Sequence, residues 1–289
     1  MSDHSRPDRA RSFGAVASAY DRGRPAYPRE AAAWLAGERP VSVLELGAGT
    51  GKLTGHLVAL GHDVHATDPD PAMLDQLARS VPGVRAAAAA AEELPLPDRS
   101  VDVVVSAQAY HWFDHERALP EITRVLRPGG HLALVWNFAD LRIPWVRRLA
   151  RILGDEDQRE DLIEPLTASA AFAPVDEETF KHWQRVDRDT VQDLALSRSA
   201  IATLAEEERA AKLAEVLAFY DDYGRGMDGM QLPYTARCYR ARVRDEALAP
   251  PRPPEPAAAT PTVRGLDEPT PMETTSDGTD TDMLLIDFR

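Results

Sequence analysis

Apolar residues recur along this chain at two periods, and the change between them divides it. Phe13, Val16, Ala17 and Tyr20 share one helix face at the i, i+3, i+4, i+7 spacing. Pro25 and Pro28 interrupt that pattern, and Pro28 opens a second helix through Trp34 and Leu35. Beyond Pro40 the runs become short and β-branched. Residues 41–46 predict a strand, 47–51 a glycine turn, and 52–60 a helix that stops at Gly61. A strand over 63–67, a helix over 71–79 and a strand over 84–88 follow. Val101, Val103, Val104 and Val105 put apolar groups on both faces, as a strand buried in a parallel sheet requires. A helix over 116–126 stops at Pro128, Gly129 and Gly130, and a fifth strand covers 131–136. This alternation predicts a parallel sheet with helices on both faces.

The second half is less regular. Residues 144–153 and 201–220 predict helices, and 179–186 and 231–243 predict strands. The two strands would close the sheet as a late antiparallel pair, with the intervening helices over its C-terminal edge. From 248 to 289 the composition shifts: three Arg face eight acidic residues, and 8 of the 23 prolines lie there. That stretch reads as a disordered appendage, apart from the terminal clump Met283, Leu284, Leu285, Ile286 and Phe288.

Composition narrows the function. With 289 residues and 44% apolar content the chain fills a sizeable core. A net charge of −14 argues against broad nucleic-acid or anionic-membrane binding, though not against a local basic groove. No apolar run reaches the roughly 18 residues of a membrane span, and the charged first residues do not read as a signal peptide. Cys238 is the lone cysteine, so no intrachain disulfide forms and a reducing cytoplasm is the expected compartment. The eight histidines are scattered, and no metal cluster is expected.

The strongest local signal is the strand–turn–helix over 43–51, with Gly47, Ala48 and Gly49 in the turn. Glycines permit positive φ and let a ligand lie against bare backbone, and the next helix adds amide donors. Two details distinguish it from a dinucleotide fingerprint. Lys52 stands where a third spaced glycine belongs, and Glu45 would repel a pyrophosphate while suiting a cationic group. Asp68 ends the second strand, where a carboxylate accepts two hydrogen bonds from a ribose diol, roughly 1.5–3 kcal/mol each.

In order and spacing, ELGAGTG at 45–51, Asp68, AEELPLPD at 91–98, SVDVV at 100–104 and RVLRPGG at 124–130 resemble class I S-adenosylmethionine-dependent methyltransferases. The small-molecule enzymes of the methyltransferase-11 type are the nearest match. The resemblance covers about residues 13–136, weakens at 231–240, and does not reach the tail. It implies an α/β fold, a Rossmann-like three-layer sandwich whose seven-stranded sheet is mostly parallel with an antiparallel last strand. It also implies one domain over 1–247, with an N-terminal lid at 10–36, a cofactor core at 40–137, and a substrate cap with the last strands at 138–247.

With S-adenosylmethionine as the implied cofactor, Glu45, Gly47, Ala48 and Gly49 would hold its methionine portion. Asp68 would bind the ribose, Pro69 and Met73 would pack on the adenine, and Ala91 and Glu92 would meet its edge. Ser106 and Gln108 would line the reactive end, and Tyr20 would lie beside the sulfonium, a cation–π contact of roughly 0.5–2 kcal/mol. Several of these residues have simpler uses: Glu45 in a local pair, Asp68 as a helix cap, Pro69 as a helix start, Met73 in the core, and Glu92 as a solvated loop acid.

Acceptor binding falls to the aromatic segment after the fourth strand and to the lid. His111 is the candidate general base, although locking the loop together with Trp112 is the favoured role for that pair. Trp112, Arg24, Tyr27 and Asn137 are the candidate substrate contacts, with Phe138, Trp145, Trp183 and Tyr234 as wall or cap packing. Methyl transfer to a small molecule is thus the expected activity. A nicotinamide-dependent oxidoreductase and a non-catalytic cofactor-binding module are the competing readings.

Overall fold

The computed structural model of the chain describes residues 17–155, 162–224 and 229–248. The predicted positions Phe13 and Val16, the first residues of the lid and the tail from 249 onward lie outside them.

The first described elements are α1 (Ala17–Gly23) and α2 (Arg29–Ala36), and the alternating core follows. There β1 (Ser42–Leu46), α3 (Thr54–Ala59), β2 (Asp63–Asp68), α4 (Pro71–Ser80), β3 (Arg85–Ala88), β4 (Val101–Ala107), α5 (His115–Val125) and β5 (Leu126–Ala139) follow one another. The second half adds α6 (Pro144–Leu153), α7 (Glu164–Thr167), β6 (Asp176–Val186), α8 (Arg188–Leu196), α9 (Ser199–Ala202), α10 (Glu206–Tyr223) and β7 (Met230–Arg242). One seven-stranded sheet results, in the order β3-β2-β1-β4-β5-β7-β6. The pairs from β3 to β5 are parallel, and β7 inserts antiparallel between β5 and β6. The expected α/β sheet and its antiparallel last strand are therefore observed.

Strand alternation sorts the core into two layers. Val43, Val103, Val105, Ala133 and Val135 turn to α2 and α3, where Ala31, Leu35 and Leu57 meet them. Leu44, Leu46, Val104, Leu132 and Leu134 turn to the other face, against Ala118, Ile122 and Val125 of α5. A third cluster joins α6, α8 and α10 to the ends of β6 and β7 through Val146, Leu149, Val191, Phe219 and Leu232. It forms the cap.

Boundaries differ from the sequence pattern in three places. The Pro-Gly-Gly segment does not separate helix from strand: α5 ends at Val125 and β5 runs from Leu126, with a register shift opposite β4. The Gly130 carbonyl accepts from the Val243 amide, so that segment is part of the sheet. The predicted helix over 201–220 divides into α9 and α10, and α10 restarts with Glu206, Glu207 and Glu208 in its first turn. Carboxylates are favoured there by the helix dipole. Finally, β6 starts at Asp176 because β7 is long enough to pair with it from Arg240 to Met230.

Candidate functional site

The strand order reverses at β1, which has β2 on one side and β4 on the other. Ligands in open α/β sheets bind beyond the carboxyl ends of the strands at such a switch point. Here the glycine turn follows β1. Gly47 has φ +66°, and a Cβ on it would come within 2.5 Å of the Ala109 Cβ. The turn therefore lies hard against the segment after β4. The Ala48 amide donates to the Thr67 carbonyl at 2.9 Å, which fixes the turn to β2.

Glu45 is 1% exposed at the end of β1. Its Oε2 accepts from the Thr54 hydroxyl at 2.7 Å. Burial pushes the carboxyl up to about 8, helped by the nearby charge of Asp68 and opposed by the Thr54 hydrogen bond. Among the described residues its side-chain partner is the Thr54 hydroxyl and not a cation. A cationic group arriving beside it would favour its ionised form.

Asp68 is also buried. Its two oxygens accept from the amides of Gly49 and Asp70, both at 2.9 Å. Burial raises its carboxyl to about 6 against those two hydrogen bonds. The helix cap after Pro69 is Asp70, which accepts from the Ala72 amide, with Pro71 opening α4. Asp68 instead fastens the glycine turn to the end of β2. Met73 is buried in the first turn of α4, and Pro69 is half-buried.

A cleft gathers much of the predicted set. Glu45, Gly47, Ala48, Gly49 and Gln108 line it together with Tyr20, Arg24 and Tyr27 from the N-terminal segment. Gln108 has φ +59°, a left-handed conformation costing a residue with a Cβ about 1–3 kcal/mol. Its amide is held by the Val135 carbonyl at 2.9 Å. Thr50, Lys52 and Leu53 also line the cleft and were not among the predicted site residues, although they belong to the same turn or follow it directly. Thr54 and Asp21 were missed altogether. Asp21 accepts from the Thr50 hydroxyl at 2.9 Å and lies 3.8 Å from the Lys52 ammonium, joining lid to turn. Neither residue carries a local sequence signal, because each acts through a partner distant along the chain.

Other predicted residues lie outside that cleft's lining. Ser106 is fully buried, and its hydroxyl donates to the Leu46 carbonyl at 3.0 Å, between two strands. Ala91 is buried in the core, and Glu92 accepts from the Asp114 amide at 2.8 Å. The 91–98 loop is anchored by Arg124, which donates to the carbonyls of Leu94 and Leu96 and pairs with Asp98 and Glu121. The His111 Nδ1 faces the Trp136 indole N–H at 3.4 Å, and its ring packs on Trp112. Those contacts tie the loop after β4 to β5 rather than to the helix that follows it. Asn137 reaches both ways, with Nδ2 donating to the Ala26 carbonyl and Oδ1 facing His182 Nε2 at 2.9 Å. Tyr234 is buried in the cap cluster, whereas Trp183 is 63% exposed.

The lid is held down by the cap. Arg22 donates to both oxygens of Asp193 at 2.7 and 2.9 Å. Gln184 donates to the Gly23 carbonyl at 2.8 Å. Gly23 lies so close to α8 that a Cβ would meet the Asp193 backbone at 2.3 Å.

A glycine turn at the switch point stands beside a buried acid near the end of β1 and a second one ending β2, an arrangement that suits a nucleoside-bearing, positively charged ligand. Comparison with known proteins agrees. The family described as methyltransferase domain matches residues 44–134. A Mycobacterium tuberculosis protein named as an uncharacterized methyltransferase is 45% identical over 241 residues, covering 82% of this chain and 98% of its own. A Schizosaccharomyces pombe protein named in the same way is 36% identical over 216 residues, 71% of this chain and 86% of its own. The solved structure of an Anaeromyxobacter dehalogenans protein, described as a type II methyltransferase, aligns with TM-score 0.50 and 28% identity, covering 78% and 98% of the two chains. The chain belongs to the class I S-adenosylmethionine-dependent methyltransferases. Its cofactor is S-adenosylmethionine, and the residues present fit that group: a buried acid stands beside a glycine turn whose Gly47 and Gly49 both have positive φ, with no room for a Cβ on Gly47. Among the described residues no helix is long and apolar enough to cross a membrane.

Proposed function

We propose that this enzyme methylates a small-molecule acceptor in the cleft beneath the lid, chiefly by positioning. The observation that carries the reading is Glu45, a buried acid lining a cleft roofed by Tyr20, Arg24 and Tyr27. S-adenosylmethionine supplies an activated methyl group on a sulfonium, whose departure leaves a neutral thioether that needs no proton. Glu45 binds the cofactor's ammonium while Gly47, Ala48 and Gly49 present backbone to its methionine portion. Asp68 retains lone pairs for the ribose hydroxyls. Pro69, Met73, Ala91 and Glu92 surround the adenine, while Ser106 and Gln108 set the strand end beside the reactive carbon.

Tyr20 and Arg24 form the roof, with the Arg24 guanidinium 5.3 Å from the Tyr20 ring centroid. Their closure excludes water and orients the acceptor, and orientation alone supplies roughly 7–11 kcal/mol in well-aligned systems. Tyr27, Trp112 and Asn137 complete the acceptor's surroundings. His111 serves the loop rather than the proton transfer, in keeping with its contacts to Trp136 and Trp112. The catalytic domain extends to about residue 247, and the single cysteine, Cys238, is in keeping with action in the cytoplasm.

Labelled S-adenosylmethionine incubated with the enzyme and a cell extract tests the reading. Label entering the small-molecule fraction is expected, with Asp68→Ala abolishing both labelling and cofactor binding. Label confined to protein or nucleic acid overturns the small-molecule assignment.

A further inference from the structure

Two arginines meet where the lid touches the cap, and neither is fully satisfied. Arg24 follows the lid helix, and one Nη donates to the Ser197 carbonyl at 2.9 Å. Arg198 is the next residue along the cap, and it pairs with Asp155 at 2.7 Å. The Nε atoms of both arginines are shut off from solvent and have no hydrogen-bond partner among the described residues. The Oε1 of Gln184, whose Nε2 holds the Gly23 carbonyl, is buried without a partner as well. The positive charge of Arg198 bears on Arg24, and both bear on the buried Tyr234, so the groups share one neighbourhood. Asp155, the carboxylate paired with Arg198, has a side chain that is 40% exposed.

Buried donors without acceptors are rare in folded proteins, and two adjacent guanidinium groups repel unless an anion lies between them. A planar oxyanion answers both needs. It accepts from the Nε edge of each fork, and an arginine edge matches carboxylate geometry better than a lysine does. We propose that Arg24 and Arg198 form a clamp for a carboxylate of the methyl acceptor, at the seam between lid and cap. The proposal rests on the methyltransferase reading above. The cofactor also carries a carboxylate, and Arg24 lines the cleft that holds Glu45. Arg198 comes from the cap and lies outside that lining, so the paired site is set apart from the turn residues proposed to hold the methionine portion, and the proposal gives it to the acceptor. The lid thereby senses its substrate, because an anion at the seam links Arg24 of the lid to Arg198 of the cap.

The test titrates the full-length protein by calorimetry, first with S-adenosylhomocysteine and then, on that complex, with succinate and tricarballylate. Succinamide is the neutral control. The expected result is that the acids bind and the diamide does not. Arg198→Ala then weakens acid binding by about 10-fold or more, the loss of one charge-assisted contact, while S-adenosylhomocysteine affinity stays within about 3-fold. Arg198→Lys keeps the charge but lacks the fork, so it also weakens acid binding. Asp155→Asn frees Arg198 and strengthens it. These last two variants keep the test valid if Arg198→Ala misfolds. Equal binding of acid and diamide, or of neither, overturns the clamp. A loss of S-adenosylhomocysteine affinity in Arg198→Ala with acid binding unchanged assigns the arginines to the cofactor and overturns the proposal. Failure of the wild-type protein to bind S-adenosylhomocysteine strikes the methyltransferase reading instead, and it is read in the first titration, before any acid is added.

Discussion

Replacing Glu45 by Gln isolates the energetic role of a buried acid at the cofactor site. In the folded protein the carboxyl titrates near 8 instead of its ordinary 4.5, because burial disfavours the charged form. The folded state therefore holds this proton over a pH range in which the unfolded chain has released it. Stability contributed by the site is fully present below the unfolded value and falls as pH rises from about 4.5 to about 8. Each unit of separation is worth about 1.36 kcal/mol, so the loss between pH 5 and pH 8 is on the order of 3 kcal/mol. Glutamine keeps the Thr54 hydroxyl bonded through its amide oxygen and has no proton to lose. Urea denaturation of wild type and Glu45→Gln at half-unit intervals from pH 5 to 9, without ligand, measures the difference. The variant should match wild type at pH 5 and exceed it increasingly towards pH 8. Asp68 titrates in both proteins, so its own contribution cancels except for its coupling to Glu45. Parallel stability curves would refute the buried-acid argument, and with it the reason for expecting a cationic ligand there.

The same acid sets a pH dependence for binding. S-adenosylhomocysteine affinity should rise from pH 6 to about 8 in wild type, as Glu45 ionises towards the ligand ammonium, and lose most of that slope in Glu45→Gln, by calorimetry. Gly47→Ala meets both a positive φ and the Ala109 Cβ at 2.5 Å, so a stability loss of about 2 kcal/mol or more is expected by thermal denaturation. Ala109→Gly in the same chain should recover part of it, and a fully additive pair would count against the clash. Arg22→Ala removes a surface clamp on Asp193 whose Arg side chain is 56% exposed, so global stability should change by less than about 1 kcal/mol. The KM for S-adenosylmethionine should nevertheless rise severalfold, since that pair holds the lid down. His111→Gln should lower thermal stability while leaving the pH limbs of kcat in place, and a vanished limb would restore His111 as the base.

The sequence by itself determined the alternating core, because its central strands β1 and β4 are short, largely apolar and buried, and turns, Gly and Pro punctuate the segments between them. It also located Glu45, the glycine turn and Asp68, whose neighbours along the chain supply the turn, the strand ends and the helix starts. Tertiary structure decided what lies on top of them. The Asp21 contact with Thr50, the Thr54 hydrogen bond to Glu45 and the seam between Arg24 and Arg198 join residues whose partners are set by packing, which leaves no periodic trace. The same holds for Pro128, Gly129 and Gly130. Their composition reads as a break, yet the Val243 amide from beyond β7 draws Gly130 into the sheet. A local pattern fixes what each segment can become. Which side chains then share one buried space depends on how the lid, the sheet and the cap close over one another.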